Sequence, residues 1–371
     1  MTDPEPSTPS LSFTGQEFPN PPASMEKPHG IFRGRFGLRA GWGIAIFLLV
    51  WFLFTLFGDA AALAFTGQLK SFLAAHAAAQ IHPNSPEAKF HLQMFPAISY
   101  GQDGIGLLGM LGFCLLFSKL ERRPFSAFGL GSRRWRDVIP GALWGVAIMS
   151  ALIAVLRIFH LLVFDGRALS GFSILIWGVK WLVAYLLVGL AEEYAFRGYL
   201  QYSLMRGCWG IAEKISPSNP QAVAFWIAGI LTSLLFTVGH LGNSGENFFG
   251  LLQVFLAGFT FVYGLWRTGS LWWVIGFHAT WDWSQSFLYG VADSGAVSVG
   301  RLFVTHPIGN PVWSGGTVGP EGSILSVLCL LLTILVLSFV RRGELPSPEQ
   351  LPPEQHSSPE KLPPNESAAI A

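Results

Sequence analysis

Residues 177–200 read WGVKWLVAYLLVGLAEEYAFRGYL, an apolar run that ends in two adjacent glutamates and an arginine. A run of about 18 or more apolar residues is long enough to cross the hydrocarbon core of a bilayer as a helix. Ionisable groups inside such a helix are costly, so their presence needs a partner or a function. The stretch therefore predicts a membrane-spanning helix that carries chemically active side chains.

The composition of the whole chain agrees with a lipid environment. Hydrophobic residues make up 51% and charged residues 12%, against about 25% charged in soluble domains. The net charge of +1 gives no basic field for nucleic acid, which we exclude as a partner. Cys114, Cys208 and Cys329 have no C-x-x-C spacing, which disfavours disulfides and thiolate metal sites.

Apolar runs of spanning length recur about eight times along the chain. They predict an all-α, polytopic transmembrane helix bundle. The runs cover approximately 41–57, 104–117, 138–163, 172–190 or beyond, 222–241, 248–266, 271–289 and 323–340. Proline-rich polar segments flank them, so we expect a disordered N-terminal tail at 1–38, a membrane domain at 39–342 and a disordered C-terminal tail at 343–371.

The positions of Lys and Arg predict the orientation, because positively charged loops stay in the cytoplasm. Alternate connections are rich in cations: 33–39, 119–136, 206–214, 267 and 341–342. The connections between them hold few, namely Lys70, Lys89, Arg157, Arg167 and Arg301. We therefore expect a multi-pass integral membrane protein with an even number of spans and both termini cytoplasmic.

Three of the predicted spans carry polar strings at bilayer depth. The fourth contains E-E-x-x-x-R, from Glu192 to Arg197; the fifth ends with F-x-x-x-H, from Phe236 to His240; the seventh carries H-x-x-x-D, from His278 to Asp282. Each residue alone has an ordinary structural explanation, such as a hydrogen bond between packed helices. Two imidazoles and several carboxyl groups on three spans of one domain exceed what packing requires.

Helical geometry separates the two glutamates of the first string. At about 100° per residue, Glu193 and Arg197 lie about 40° apart on one face, whereas Glu192 is about 140° from Arg197. Glu193 can therefore form an i, i+4 ion pair with Arg197, which favours a structural role. Glu192 is left without a local cation, which makes it the candidate general base.

The histidines supply the remaining candidate groups. His278 and Asp282 share a helix face, so Asp282 can orient His278 or share a ligand with it. His240 provides the second imidazole. Counted from Ala222, it lies about 27 Å along its helix, and so near the outer face of the membrane.

The three strings, in this order, resemble the motifs of the CAAX prenyl protease and bacteriocin-processing family (CPBP or ABI) of intramembrane proteases. The resemblance covers about 177–289, which would be the core of a protease-like domain. The sequence departs from the prenyl-protein proteases at Asp282, where they carry Asn, although the bacterial branch is less strict there. The resemblance implies a multi-pass protein of a bacterial inner membrane that cleaves a protein or peptide substrate.

By this resemblance, Glu192 and His240 activate water, while His278 and Asp282 polarise the scissile carbonyl and stabilise the oxyanion. Glu193, Arg197 and Phe236 are supporting residues. Zinc held by His240, His278 and either Glu192 or Asp282 is an alternative to a metal-free Glu/His mechanism. No H-E-x-x-H string supports zinc, and the choice between the two stays open at this stage.

Two other functions compete with the protease. A membrane scaffold or bacteriocin-immunity type of protein could keep the same fold without cutting its partner. A transporter would also need intramembrane carboxylates, but no internal repeat or pair of broken helices indicates one. The glycine-rich segment 292–322 can cap a substrate cavity or be an ordinary surface loop, and nothing in the sequence indicates an oligomer.

Overall fold

The computed structural model of the protein describes residues 31–34, 37–81, 93–120, 125–242 and 247–340. Eleven helices are labelled in chain order: α1 Ala40–Phe65, α2 Leu69–Ile81, α3 Pro96–Leu120, α4 Val138–Ile158, α5 Phe172–Gly207, α6 Trp209–Ile215, α7 Pro220–Gly239, α8 Phe248–Thr268, α9 Leu271–Trp283, α10 Pro311–Ser314 and α11 Ile324–Phe339. Short 3-10 turns lie at Phe125–Phe128, Ser132–Asp137 and Pro320–Gly322.

The described helices form a membrane-type bundle. Six helices or helical segments are long and apolar enough to cross a bilayer, and they correspond to α1, α3, α4 with its preceding turn, α5, α7 and α8. Two shorter helices, α9 and α11, cover the seventh and eighth predicted runs, and α9 continues as a π-helical turn, Ser284–Leu288. The prediction of an all-α bundle with about eight spans is confirmed.

Several predicted boundaries shift in the structure. The second span begins at Pro96 rather than at 104 because a π-helical turn, Tyr100–Ile105, carries the polar residues Gln102 and Asp103 inside the helix. The third run ends as a helix at Ile158, and its last residues turn into a strand. Helix α2 was not anticipated, since its hydropathy is too low for a span.

The closest helix packing lies between α4 and α9. A Cβ atom added at Gly141 would stand 2.0 Å from the carbonyl oxygen of Trp273, and one at Gly276 would stand 2.1 Å from that of Val138. Glycine on both helices therefore lets the two backbones touch, as small residues do in membrane helix pairs. Thr280 Oγ1 donates across this contact to the Ala142 carbonyl at 2.8 Å. The contact fixes the helix that carries His278.

Two small antiparallel ribbons interrupt the helices. Strands β1 Arg33–Gly34 and β2 Gly37–Leu38 pair just before α1. Strands β3 Leu162–Arg167 and β4 Phe303–Pro307 pair with a bulge between Phe164 and Gly166. The second ribbon joins the connection between α4 and α5 to the segment that precedes α11. We call residues 290–322 the roof.

The predicted disordered tails fall almost wholly outside the described residues. Residues 1–30 and 341–371 are not described, and the N-terminal tail expected at 1–38 is seen only in its last residues, at the β1–β2 ribbon.

Candidate active site

Glu193 and Arg197 form a buried ion pair inside α5. Arg197 Nη1 donates to Glu193 Oε1 at 3.1 Å, and both side chains are 0% exposed. The i, i+4 pair predicted from the spacing is therefore confirmed. The pair stands where the α-helix Phe172–Glu193 passes into the π-helical turn Tyr194–Leu200, a local geometry common at functional sites.

Aromatic rings surround the rest of the Arg197 guanidinium. Its Cζ lies 4.6 Å from the ring centroid of Phe236 and 5.1 Å from that of Phe261. Nε and Nη2 have no hydrogen-bond partner among the described residues. Ring faces are negative, so cation–π contacts stabilise the part of the charge that Glu193 does not reach.

Glu193 also binds His278, which sequence reasoning missed. His278 Nδ1 lies 2.8 Å from Glu193 Oε1, and because a carboxylate only accepts hydrogen bonds, Nδ1 carries the hydrogen. Glu193 thereby fixes the orientation of the imidazole and directs Nε2 toward the opposite side. No helical spacing could reveal a contact between residues 85 positions apart.

Two further carboxyl groups face Nε2 of His278. Asp282 Oδ2 lies 3.4 Å away, as their shared helix face predicts, and Glu192 Oε2 lies 3.8 Å away. A separation of 3.8 Å exceeds a hydrogen bond, so Glu192 is near His278 without being committed to it. The Glu192 side chain is 25% exposed, in contrast to the fully buried Glu193.

His240 caps the C-terminus of α7. Its Nδ1 lies 2.8 Å from the Phe236 carbonyl oxygen; a carbonyl only accepts, so Nδ1 donates and Nε2 is left as the acceptor of the neutral ring. The Phe236 ring packs against both imidazoles, with centroids 4.6 Å from His240 and 6.3 Å from His278. Phe236 thus contacts both imidazole rings and helps to set the distance between them.

The predicted residues meet in one cavity. Its volume is about 390 Å³, and Glu192, Phe236, His240, His278 and Asp282 all line it. Glu193 and Arg197 lie behind that wall. His240 stands at the end of its helix, as its count along the fifth span predicts, and the cavity reaches this end of the bundle.

Many lining residues lie outside the motifs, and among them are Asp103, Gln253, Asp293 and Glu321. Only Asp103 carried a usable signal, because an acid next to an apolar run is costly in a membrane. The other three lie in a helix of mixed character or in the roof. Their position depends on packing that the sequence pattern does not encode.

The roof covers this cavity. Asp293, Ser294, Ala296, Ser298 and Glu321 are among the lining residues. The Met94 carbonyl accepts from Val299 N at 2.9 Å, and Trp181 Nε1 donates to the Val299 carbonyl at 2.9 Å. Of the two interpretations of segment 292–322, the cap over a cavity is the one that agrees with these contacts.

A metal-binding arrangement is not formed by the described residues. No group of three or more His, Cys, Asp or Glu side chains among them is placed to hold a metal ion. The zinc site considered from the sequence therefore gains no support from the geometry.

Comparison with known proteins points to the same family. Residues 173–284 match the family model described as "Rce1-like: Type II CAAX prenyl endopeptidase Rce1-like". The comparisons with curated proteins and with solved structures return no significant match. The matched segment contains all three motifs, and six helices of the described residues are long and apolar enough to cross a bilayer. The chain is thus an integral, multi-pass membrane protein, and its residues 173–284 are similar to the Rce1-like family, as the resemblance to the CPBP family predicts.

Proposed function

We propose that this protein is an intramembrane endopeptidase of the CAAX protease type, which hydrolyses a peptide bond with water activated by Glu192 and His240. The observation that supports it is the common cavity: Glu192, His240 and His278 come from three helices and line one space. A water-poor cavity strengthens both general-base catalysis and oxyanion stabilisation.

Glu192 is the group best placed to take a proton from water. It is partly exposed to the cavity and has no Lys or Arg ion-pair partner among the described residues. His240 Nε2 can accept a second hydrogen bond from the same water and hold it for attack on the scissile carbonyl carbon. We assign His240 the role of positioning the water, because the hydrogen bond from its Nδ1 to the helix backbone holds the ring in place.

His278 and Asp282 are the proposed electrophilic side of the site. With Nδ1 donating to Glu193, Nε2 can donate to the developing oxyanion only if the ring carries the imidazolium charge. The carboxyl groups of Glu193, Asp282 and Glu192 surround the ring and stabilise that charge. Glu193 is thus a positioning residue, and His278 is the proposed oxyanion donor.

The reaction balances with these groups alone. Water gives a proton to Glu192 and its oxygen bonds to the carbonyl carbon, so that a negative charge develops on the carbonyl oxygen near His278. The tetrahedral species collapses, the C–N bond breaks, and the proton held by Glu192 passes to the departing amine. The immediate products are a carboxylic acid and an amine; the acid then gives its proton to the amine, so that a carboxylate and an ammonium ion leave and both catalytic groups return to their starting state.

We also propose that both termini are cytoplasmic and that the membrane is the inner membrane of a bacterium. Cation-rich connections precede α1 and α7 and follow α3, whereas the cavity lies at the C-terminal ends of α7 and α9. Because consecutive spans alternate in direction, the cavity is on the cation-poor side, which the charge rule places outside the cytoplasm. Asp282 is compatible with the bacterial branch of the family.

Purified full-length protein in nanodiscs and a degenerate library of quenched peptides test the proposal. The wild type should cleave, and Glu192→Gln or His278→Ala should lower the rate about 100-fold or more. Asp165→Asn is the matched control, because Asp165 is an exposed acid of β3 that pairs with His306. Cleavage that survives both substitutions would contradict the proposal. Repeating the assay with a chelator decides whether a metal participates.

Absence of cleavage by a folded wild type would favour the scaffold or immunity-type alternative. In that case Glu192→Gln should leave binding of a membrane partner unchanged, since the charge has no catalytic use.

A further inference from the structure

The cavity wall is strongly acidic. Five carboxyl side chains line it, and no Lys or Arg is among its lining residues; the five are Asp103, Glu192, Asp282, Asp293 and Glu321. Glu192 and Asp282 are accounted for by the proposed reaction. The other three lie outside every motif, and hydrolysis of a peptide bond does not require them. Negative groups that share a low-dielectric cavity repel one another, and the imidazolium charge proposed for His278 compensates only one of them, so their accumulation favours a bound cation.

Asp293 and Glu321 form the acidic part of the roof. Asp293 Oδ2 accepts from Ser286 Oγ at 2.8 Å. Glu321 accepts from Gln285 Nε2 at 3.1 Å and from the Ser294 amide. These donors are all neutral. Burial raises the pKa of both carboxyl groups, and the charge of Asp293 raises the pKa of Glu321 further.

The hydrogen bonds of the roof require acceptors but not charges. Neutral amide oxygens could accept from Ser286, Gln285 and the Ser294 amide equally well. A structural fastening therefore explains why oxygen atoms are present but does not require them to belong to carboxyl groups. No described Lys or Arg forms an ion pair with Asp293 or Glu321.

An independent observation on α8 indicates an absent ligand. Gln253 is 4% exposed and lines the same cavity. Its side chain makes no hydrogen bond among the described residues, so its amide is free to bind a group inside the cavity. Helix α8 packs on the Pro320–Gly322 turn that carries Glu321. The amide oxygen of Gln253 is thus an unused acceptor in the same cavity wall as two carboxyl groups that have no Lys or Arg partner among the described residues.

We propose that Gln253, Asp293 and Glu321 form a subsite for a Lys or Arg side chain of the peptide substrate. The inference rests on the proposed function in taking the occupant to be a peptide. Three oxygen acceptors match the several N–H donors of an ammonium or guanidinium group. Val254, Ala257 and Leu330 line the cavity as well and supply an apolar wall for the methylene stem.

Affinity selection measures this preference without requiring cleavage. Full-length protein in nanodiscs is incubated with degenerate heptapeptide libraries whose central residue is Lys, Arg, norleucine or Glu, and retained peptides are counted by mass spectrometry. Norleucine keeps the stem and removes the charge. We expect the Lys and Arg libraries to be enriched at least tenfold over the norleucine library, with Glu the least retained.

Charge-removing variants locate the preference. Asp293→Asn and Glu321→Gln should each reduce the enrichment below about threefold, whereas the exposed Asp165→Asn should leave it unchanged. Equal retention of all libraries, or an enrichment that survives both substitutions, overturns the inference. A protein that retains basic peptides and cuts none of them refutes only the proposed function. One that cuts all libraries alike refutes only the subsite.

A second measurement needs no peptide. Gln253→Lys places an ammonium in the subsite from α8, while Gln253→Met has similar length and no charge. The Lys variant should melt at a higher temperature than the Met variant and should lose the preference for basic libraries. A Lys variant that melts at or below the temperature of the Met variant contradicts a cation-binding subsite.

Discussion

At the scale of single residues, Glu193 is the most constrained group of the site. One oxygen, Oε1, accepts from Arg197 at 3.1 Å and from His278 at 2.8 Å. The sequence predicted the first bond from helical spacing and could not predict the second, which depends on how α5 and α9 pack. The residue first interpreted as structural is therefore also the one that orients the proposed oxyanion donor.

Removing Glu193 should destabilise the protein and inactivate it together. Glu193→Leu leaves the guanidinium of Arg197 buried without its anion, which costs about 3 to 5 kcal/mol. The double variant Glu193→Leu, Arg197→Leu should recover much of the melting temperature, because both charges leave together. Its cleavage rate should stay low, since His278 has lost the acceptor at Nδ1.

The exposed pair of Arg134 and Asp137 is the control for this experiment. Arg134 Nη2 lies 2.7 Å from Asp137 Oδ2, and the two side chains are 31% and 30% exposed. Asp137→Asn should therefore lower the free energy of unfolding by about 1 kcal/mol or less. If Glu193→Leu and Asp137→Asn lower the melting temperature equally, burial does not increase the cost of breaking the Glu193 ion pair, and the prediction is wrong.

Glu321 should make stability depend on pH. Burial, and then the charge of Asp293, raise its pKa in the folded protein, so the folded state holds this proton more tightly than the unfolded state. The resulting stabilisation is present at low pH and is lost as the pH rises through the folded-state pKa. Glu321→Gln carries no charge at any of these pH values.

The melting temperature of Glu321→Gln minus that of the wild type should therefore increase between pH 5 and pH 8. Thermal unfolding of both proteins in the same detergent measures this difference. A difference that is constant or decreases with pH would show that Glu321 is not destabilised by its charge.

At the scale of elements, the contact between α4 and α9 positions the chemistry. A Cβ at Gly145 would stand 2.3 Å from Thr280 Oγ1 and 2.4 Å from the Phe277 carbonyl oxygen. Thr280 and Phe277 flank His278 in the sequence. Displacing α9 by even part of an ångström therefore moves the imidazole relative to Glu192.

Gly145→Ala should lower both stability and activity. Overpacking of a tight contact costs about 1 to 3 kcal/mol, and the shift of α9 should reduce the cleavage rate by more than the loss of folded protein explains. Gly112→Ala in α3 is the control, because nothing lies within 4 Å of the added Cβ. Thermal unfolding and rate per folded molecule separate the two effects. Equal behaviour of both variants would contradict the role assigned to this contact.

The elements show where sequence reasoning succeeds and where it stops. Hydropathy located the eight apolar runs because a span needs a continuous apolar stretch, and the order of the motifs located Glu192, His240 and His278. Hydropathy placed the start of the second span too far along the chain, because the π-helical turn holds the polar residues Gln102 and Asp103 inside the helix. It missed the β3–β4 ribbon, because its strands lie about 140 residues apart and local sequence patterns do not reveal such a pairing.

At the scale of the whole molecule, the orientation of the cavity can be tested directly. Val297 in the roof is 44% exposed, and Ile211 in α6 is 58% exposed at the cation-rich end. In a Cys208→Ala background, Val297→Cys should react with a membrane-impermeant maleimide in intact cells. Ile211→Cys should react only after the cells are opened. The reverse pattern would place the cavity on the cytoplasmic side.

The attachments of the roof limit the size of the substrate that the proposed protease can admit. Residue 299 is bonded to Met94 and to Trp181, and Gly300 lies so close to the Trp177 ring that an added Cβ would come within 2.3 Å of it. Because the roof is attached to separate parts of the bundle, it does not open wide enough for a large substrate. In the proposed protease, a folded domain would therefore not enter the cavity and only an unfolded stretch of substrate would reach Glu192, so we expect the cleavage rate to depend on how readily the substrate unfolds.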